Sequence, residues 1–504
     1  MMTLIKTILC AFTLIALVHL SNAQKADSTV KEIPAPKSFI TQHQGTFNGK
    51  AVRYKAVGKE THLKNEKNEP IGALWSVSYL QEGVTDYSKR PVTFIFNGGP
   101  GSASVWLHMG FLGPKIVKIA SNADTDDGGA PYPLVDNQQC LLDKTDLVFV
   151  DPIGTGYSIP VGSGSGKDFW GLTEDASSIA QFIRIWITDN KRWNSPKYIF
   201  GESFGTTRAA AVTNALEGGG QHVSMNGLVL ISQAIDYQGN TSMHDNLISY
   251  LTYLPTMAAT AWYHKKAGQG KSLEDFVQEC RVFTTDEYAP ALLKGSMLTT
   301  EAQNSMADKL VYFTGLPKEY VLRSDLRVLV PRFQKKLMEE EGLTVGRLDS
   351  RFKSREADLV AEWPTLGDAS DYQIDAAYTA ALNNYFASVL NVEMDRPYIT
   401  SNEEVAINWR WRDAPEGSYW EPVFVNVARP LAESMRRNKD LKVLVACGYY
   451  DLITPFFDAE YTFARNGIPK EMVQLSYYEG GHMMYNHQPD FDQLIKDIRL
   501  FFGN

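Results

Sequence analysis

The sequence is short of cysteine, of any basic excess and of long apolar stretches, and each shortage removes a class of function. Four of the 504 residues are cysteine. Cys10 lies in the first apolar stretch, while Cys140, Cys280 and Cys447 are odd in number and far apart. One disulfide with a free thiol fits that count; a disulfide framework or a paired metal-ligand spacing does not. Acidic residues outnumber basic ones, 58 to 49, for a net charge of −9. Nucleic-acid binding needs a basic surface to neutralise phosphate, so no such partner is expected. Beyond the first 20 residues no stretch is apolar enough to cross a membrane, and no internal repeat is visible. The acidic stretch Asp124-Thr125-Asp126-Asp127-Gly128-Gly129 lacks the downstream glutamate of a calcium loop, so it reads as a solvated turn and no metal is expected.

The N-terminus carries a positive signal. Lys6 precedes an apolar run at residues 7–20, which ends in Ser21-Asn22-Ala23. A basic start, a short apolar stretch and small residues at its exit make a secretory signal peptide over residues 1–23. Cys10 follows Leu9 rather than a small residue, which argues against lipid attachment. The mature chain is expected to be secreted or periplasmic, with no stable membrane span once the signal is removed.

Five short apolar runs, Val92–Phe96 and residues 147–150, 198–200, 228–231 and 443–445, end abruptly at Gly, Asp, Ser or the Asn before a Gly pair. Uninterrupted apolar runs suit strands buried on both faces, as in a parallel sheet. Helical spacing lies between them. At residues 173–188, Ile179, Phe182, Ile183, Trp186 and Ile187 fall on one face, with Thr173 as the expected cap. Residues 206–216 are Ala-rich and stop at Gly218-Gly219-Gly220. This alternation predicts an α/β fold with a doubly wound, mostly parallel sheet. Residues 240–425 break the rhythm with helical stretches such as 301–311 and 332–341, whose Lys335, Lys336 and Glu339–Glu341 read as an exposed face. The β/α pattern returns with a helix near 426–437. The expected organisation is a core at 24–239, a mostly helical cap insertion at 240–425, and the rest of the core at 426–504.

The sharpest chemical signal is Gly201-Glu202-Ser203-Phe204-Gly205, set between an apolar run and a helix. In G-x-S-x-G at a strand-to-helix turn, the serine hydroxyl is exposed and the small neighbours permit the bend. A serine hydroxyl needs a base, and the base needs an orienting acid. Asp451 follows the run at 442–446, and His482 follows Glu479-Gly480-Gly481 after the run at 473–478. Their order after the serine, Asp then His, is that of the α/β-hydrolase fold. A hole for the oxyanion needs two donors. Phe204 N–H is one candidate; the loop Asn97-Gly98-Gly99-Pro100-Gly101 supplies the other, and it lacks the Gly-Lys-Ser/Thr ending of a phosphate cradle. His108 reads as a packing residue near the cleft, and Trp409 and Trp411 as pocket-lining or packing side chains.

With Asn97-Gly98-Gly99-Pro100-Gly101-Ser102, Leu112-Gly113-Pro114, Asp151-Pro152-Ile153-Gly154-Thr155-Gly156-Tyr157-Ser158, the Ser203 motif and Gly481-His482-Met483 in this order, the chain resembles the serine carboxypeptidases, peptidase family S10. The resemblance spans about residues 90–490. It implies an α/β-hydrolase core under a helical cap, no cofactor or metal, and peptide substrates with a free C-terminus. It also implies a triad of Ser203, Asp451 and His482, with oxyanion donors at Gly99 and Phe204. Asn97, Gly98 and Glu202 would hold the substrate's terminal carboxylate. Two carboxyl groups share a hydrogen bond only when one is protonated, so Glu202 would act as a neutral acid. Three positions depart from the family pattern. Phe111 stands where members often have a glutamate that assists Glu202, Ile95 where many have tryptophan, and Ser102 in place of a common cysteine. An esterase or acyltransferase would use the same triad, and an exported binding protein without turnover is the remaining alternative.

Overall fold

The computed structural model describes residues 33–119, 123, 129–370, 374–411 and 424–503. The expected signal segment with Cys10, and residues 124–128 of the acidic turn, lie outside the described residues.

The apolar runs form the centre of one sheet. Its strands in chain order are β1 (Ser38–Phe47), β2 (Lys50–Lys64), β3 (Pro70–Gln81), β4 (Val92–Phe96), β5 (Asp146–Val150), β6 (Lys197–Glu202), β7 (Gly227–Ile231), β8 (Lys442–Gly448) and β9 (Val473–Tyr478). They lie in the order β1-β2-β3-β5-β4-β6-β7-β8-β9, with the short piece Ile159–Pro160 added on β3. The six strands from β5 to β9 are mutually parallel. β1, β2 and β3 form an antiparallel meander joined to β5. The chain thus has the doubly wound, mostly parallel α/β architecture its apolar runs imply. The meander has a half-exposed, polar outer strand and offers no continuous apolar run, which is why only the parallel part was legible as strand.

Alternate side chains of each strand enter opposite layers. Phe94 and Phe96 point to one core, shared with α1 (Leu172–Asp189) and α2 (Phe204–Gly218), while Ile95 points to the other. The helix expected to be capped by Thr173 begins one residue earlier. Its N-cap is Gly171, with no side-chain cap, and Asp175 N–H donates to Gly171 O at 2.8 Å. Gly171 is held by a bridge to Arg410, so tertiary pairing rather than a local hydroxyl sets the start.

Within residues 240–425 the helices do not share one core. α3 (Leu247–Tyr263) packs with Leu273–Phe283, Thr300–Thr314 and Val330–Lys336 around Phe276, Phe283, Phe313 and Phe333. By contrast α4 (Asp375–Ser388) sends Tyr378, Tyr385 and Phe386 into the core on the Ile95 side of the sheet. The stretch at 332–341 is a helix only to Lys336, and Lys335 is not on an exposed face: it is buried and 3.1 Å from Glu356. A buried ammonium is tolerable only when paired. Burial at that position followed from the neighbouring 356–365 segment, which helix periodicity cannot reveal. α5 (Ala428–Arg437) covers α2, and α6 (Gln488–Phe501) closes the other face. Cys140, Cys280 and Cys447 are free and buried.

Candidate active site

At the end of β6 the chain makes the bend that the Gly-Glu-Ser-Phe-Gly pattern requires. Ser203 takes φ +59° and ψ −130°, outside ordinary strand or helix geometry, and α2 starts at the next residue. A Cβ on Gly201 would lie 2.2 Å from Gly205 O, so no side chain fits at the crossing. Ser203 N–H donates to Ile231 O on the neighbouring strand at 3.0 Å, which pins the strained residue to the sheet. The serine is thereby offered at the N-terminus of α2, where N–H groups and helix dipole favour negative charge.

β8 and β9, adjacent in the sheet, bring Asp451 and His482 together. His482 Nδ1 donates to Asp451 Oδ2 at 2.8 Å. Asp451 is fully buried, and its Oδ1 accepts from Ile453 N–H and Thr454 N–H at 2.8 and 2.9 Å. Thr454 Oγ1 donates to Oδ2 at 2.6 Å and lies 3.3 Å from His482 Nδ1. Main-chain bonds hold the histidine loop from two sides: His482 N–H to Leu348 O at 2.6 Å, and Ser232 Oγ to His482 O at 2.7 Å. Burial pushes the His482 pKa down, but the Asp451 carboxylate and the more distant Glu202 outweigh it, and the pKa is raised overall.

Ser203 and His482 line one pocket of about 730 Å³, together with Asn97, Gly98, Gly99 and Glu202. Among the described residues no hydrogen bond joins Ser203 Oγ to the imidazole. Asp451 stands behind His482, away from the pocket surface, and Phe204 turns its ring to Trp409 and Trp411 at centroid distances of 5.1 and 5.6 Å. The Gly98 loop crosses close over the elbow: a Cβ on Gly98 would sit 2.6 Å from Phe204 N. Neither Gly99 N–H nor Phe204 N–H donates to another described residue. Asn97 is anchored through Oδ1, which accepts from Leu107 N–H at 3.0 Å, while its buried Nδ2 completes no hydrogen bond. From below, Arg208 donates to Asn97 O at 2.7 Å and to Asp175 at 2.6 Å.

Glu202 is buried and its pKa is raised to about 7. Loss of water is the main cause; His482, a hydrogen bond from Tyr485 and the Asn97 amide favour its anion, and Asp451 opposes it. Tyr485 OH donates to Glu202 Oε2 at 2.6 Å.

Sequence reasoning did not find Tyr485, Thr454 or the Arg208–Asp175 pair. Tyr485 has a signal after the fact, three residues beyond His482 on the same loop; Thr454 follows Asp451 at the same spacing. It also missed Trp106, Arg347 and Asp375, which line the pocket. Burial raises the Asp375 pKa, with the Trp106 indole partly offsetting it. His108 lies outside the pocket, stacked on Phe149 at 4.0 Å and hydrogen-bonded to Tyr79 OH at 2.7 Å. Burial depresses its pKa to about 3.

A mostly parallel sheet, a serine on a strained strand-to-helix turn and an Asp–His pair on the loops after the last two strands define an α/β hydrolase. The serine carboxypeptidase family profile matches residues 78–477, and the chain belongs to that family. It is a serine-type carboxypeptidase by descent. Among solved structures it is similar to a prohormone-processing carboxypeptidase of Saccharomyces cerevisiae, at 14% identity and a TM-score of 0.54, covering 89% of this chain and 91% of that one. A putative aryl esterase from Burkholderia cenocepacia matches at 10% identity and a TM-score of 0.36, covering 88% and 100%. No curated protein matches.

Proposed function

We propose that the protein is an exported carboxypeptidase that releases C-terminal amino acids from peptides through an acyl-enzyme on Ser203. The observation that carries this reading is the buried carboxyl of Glu202, whose pKa burial raises to about 7, in the same pocket as Ser203 and the Asp451-bound His482. A neutral acid beside the nucleophile can donate to a substrate carboxylate, whereas an ionised one would repel it. The unfilled donor of Asn97 and the close Gly98 loop support the same assignment.

In the first step His482 takes the Ser203 proton as Oγ bonds to the scissile carbonyl carbon. The carbonyl oxygen, now negative, accepts from Gly99 and Phe204 N–H. On collapse the C–N bond breaks, and the leaving amino acid takes the proton from His482. Water then attacks the acyl-enzyme, giving its proton to His482, which returns it to Ser203 as the shortened peptide leaves. Asp451 holds the imidazole in the tautomer that presents Nε2 to the serine. Serine and imidazole need not be hydrogen-bonded before substrate binds, since such contacts often tighten only in the complex. Export rests on the N-terminal signal pattern at residues 1–23.

Hydrolysis of a peptide with a free C-terminus, compared with its C-terminal amide, tests the reading. Preference for the free acid is expected. Equal turnover would point to an esterase or acyltransferase on the same triad. Failure of a fluorophosphonate to label Ser203 would overturn the enzymatic assignment altogether.

A further inference from the structure

The hydrogen bond at Glu202 comes from a residue with its own structural support. Tyr485 is buried in the short turn Met484–Asn486, on the loop that also carries His482. Its ring lies flat against Phe111, with centroids 5.2 Å apart and planes inclined by 14°. Phe111 is in turn held edge-on by Phe491 of α6 at 5.2 Å. The next residue on the loop is also tied down, since Tyr378 OH donates to Asn486 Oδ1 at 2.6 Å. The phenol therefore has one direction, and its hydroxyl reaches Glu202 Oε2 at 2.6 Å.

We propose that Tyr485, clamped by Phe111, is the positioning residue that orients the Glu202 carboxyl toward the terminal carboxylate of the substrate. The inference rests on the carboxypeptidase reading above and deepens it.

A phenol has a single proton. Once that proton is donated to Oε2, Oε2 serves as an acceptor, and the acid proton of Glu202 resides on Oε1. Glu202 is thus held as a directed donor instead of a carboxyl free to present either oxygen. Phe111 has no polar atom, so it adds no second titrating group. In its place it supplies a flat wall that prevents the phenol from rotating away. The charged and titratable groups acting on Glu202 are His482 from the same loop, Asp451 from the loop after β8, and Tyr485 itself. Tyr378 and Glu202 act on Tyr485, and burial keeps its hydroxyl protonated far above neutral pH.

The sign of the effect follows. The Tyr485 bond favours the Glu202 anion, so the hydroxyl lowers the pH at which Glu202 ionises. Tyr485→Phe keeps the stacked ring and removes only the hydroxyl. With a free-acid peptide, KM is expected to rise roughly tenfold at acid pH while kcat changes less, since one charge-assisted contact is disordered. The alkaline limb of kcat/KM should move to higher pH. The loss should be greater for the free acid than for its amide. In a Glu202→Gln background, which has no acid to orient, Tyr485→Phe should move no limb.

Equal losses on acid and amide with an unmoved limb would make Tyr485 a mere packing residue and overturn the inference. Should Tyr485→Phe fail to fold, Phe111→Leu keeps the hydroxyl and removes the wall; it must shift the KM for free-acid peptides in the same direction, and an unchanged KM also overturns the inference. If the wild-type enzyme itself shows no preference for the free acid, the carboxypeptidase reading is what fails. These two failures are separable because the first is read in variants and the second in the parent protein.

Discussion

Thr454 and His482 converge on a single oxygen: Thr454 Oγ1 and His482 Nδ1 both donate to Asp451 Oδ2, at 2.6 and 2.8 Å. The remaining carboxylate oxygen is occupied by two main-chain N–H groups. Asp451 has no freedom left, and the imidazole inherits that rigidity. Thr454→Val is expected to lower kcat/KM by roughly tenfold through one lost hydrogen bond to a charged group. Asp451→Asn should cost on the order of 10³–10⁴-fold, because the imidazole tautomer is lost. Steady-state kinetics on one peptide checks both, and equal losses in the two variants would contradict this division of roles.

The pH dependence of activity should be a narrow bell. His482 must be neutral to act as base, and its raised pKa lifts the acid limb. On the proposed reading Glu202 must be protonated to bind the substrate carboxylate, and burial raises its pKa to about 7. The two groups attract when charged, so the profile reports the pair and not either residue alone. Glu202→Gln should remove the alkaline limb for peptides, as read from kcat/KM against pH.

The same carboxyl affects stability with a definite sign. Glu202 titrates near 4.5 in an unfolded chain and near 7 in the fold. Between those values the fold retains a proton that the unfolded chain has released, so stability falls as pH rises through this window. Glu202→Gln should be more stable than the parent above neutral pH, by on the order of 3 kcal/mol, with little gain at acid pH. Urea denaturation at two pH values measures this; a gain that is independent of pH would refute it.

Gly98→Ala tests the oxyanion role proposed for the loop at residues 97–101. Its Cβ would lie 2.6 Å from Phe204 N and 2.9 Å from Glu202 O, so the loop must shift away from the elbow. Loss of aligned donors costs about 10²–10³-fold in kcat. Measured kcat on a peptide should fall by that order while the far-ultraviolet circular dichroism is kept.

Arg208→Met tests the floor of the site. It would strand the buried Asp175 without its ion-pair partner and remove the bond to Asn97 O. Stability should fall by about 3–5 kcal/mol, the usual cost of leaving one member of a buried pair alone. Replacing both residues with apolar ones should recover much of that stability but not peptide affinity, as denaturation and KM measured together would show.

Much of the parallel sheet was legible because strands buried on both faces must be largely apolar, as β4, β5 and β7 are apart from Thr93 and Asp146. The antiparallel meander β1–β3 was not, since its outer strands are half solvated and carry weaker patterns. Local chemistry was equally readable where covalent neighbours enforce it. Gly201 and Gly205 flank Ser203 because the backbone crossing leaves no room for a Cβ. Lys335 shows the opposite case: its helical position looked solvated, and a distant segment carrying Glu356 buried it.

By itself the amino-acid order determined which residues could react, where the sheet's central strands lie, and which family the chain resembles, because these depend on contiguous residues and on motif order. Only the folded structure decided how Asp451 is oriented, which donor serves Glu202, and that Phe111 supports Tyr485 from the position where family members often carry a glutamate. Those contacts join residues separated by hundreds of positions, and their energies depend on burial and angle. No spacing along the chain encodes either quantity.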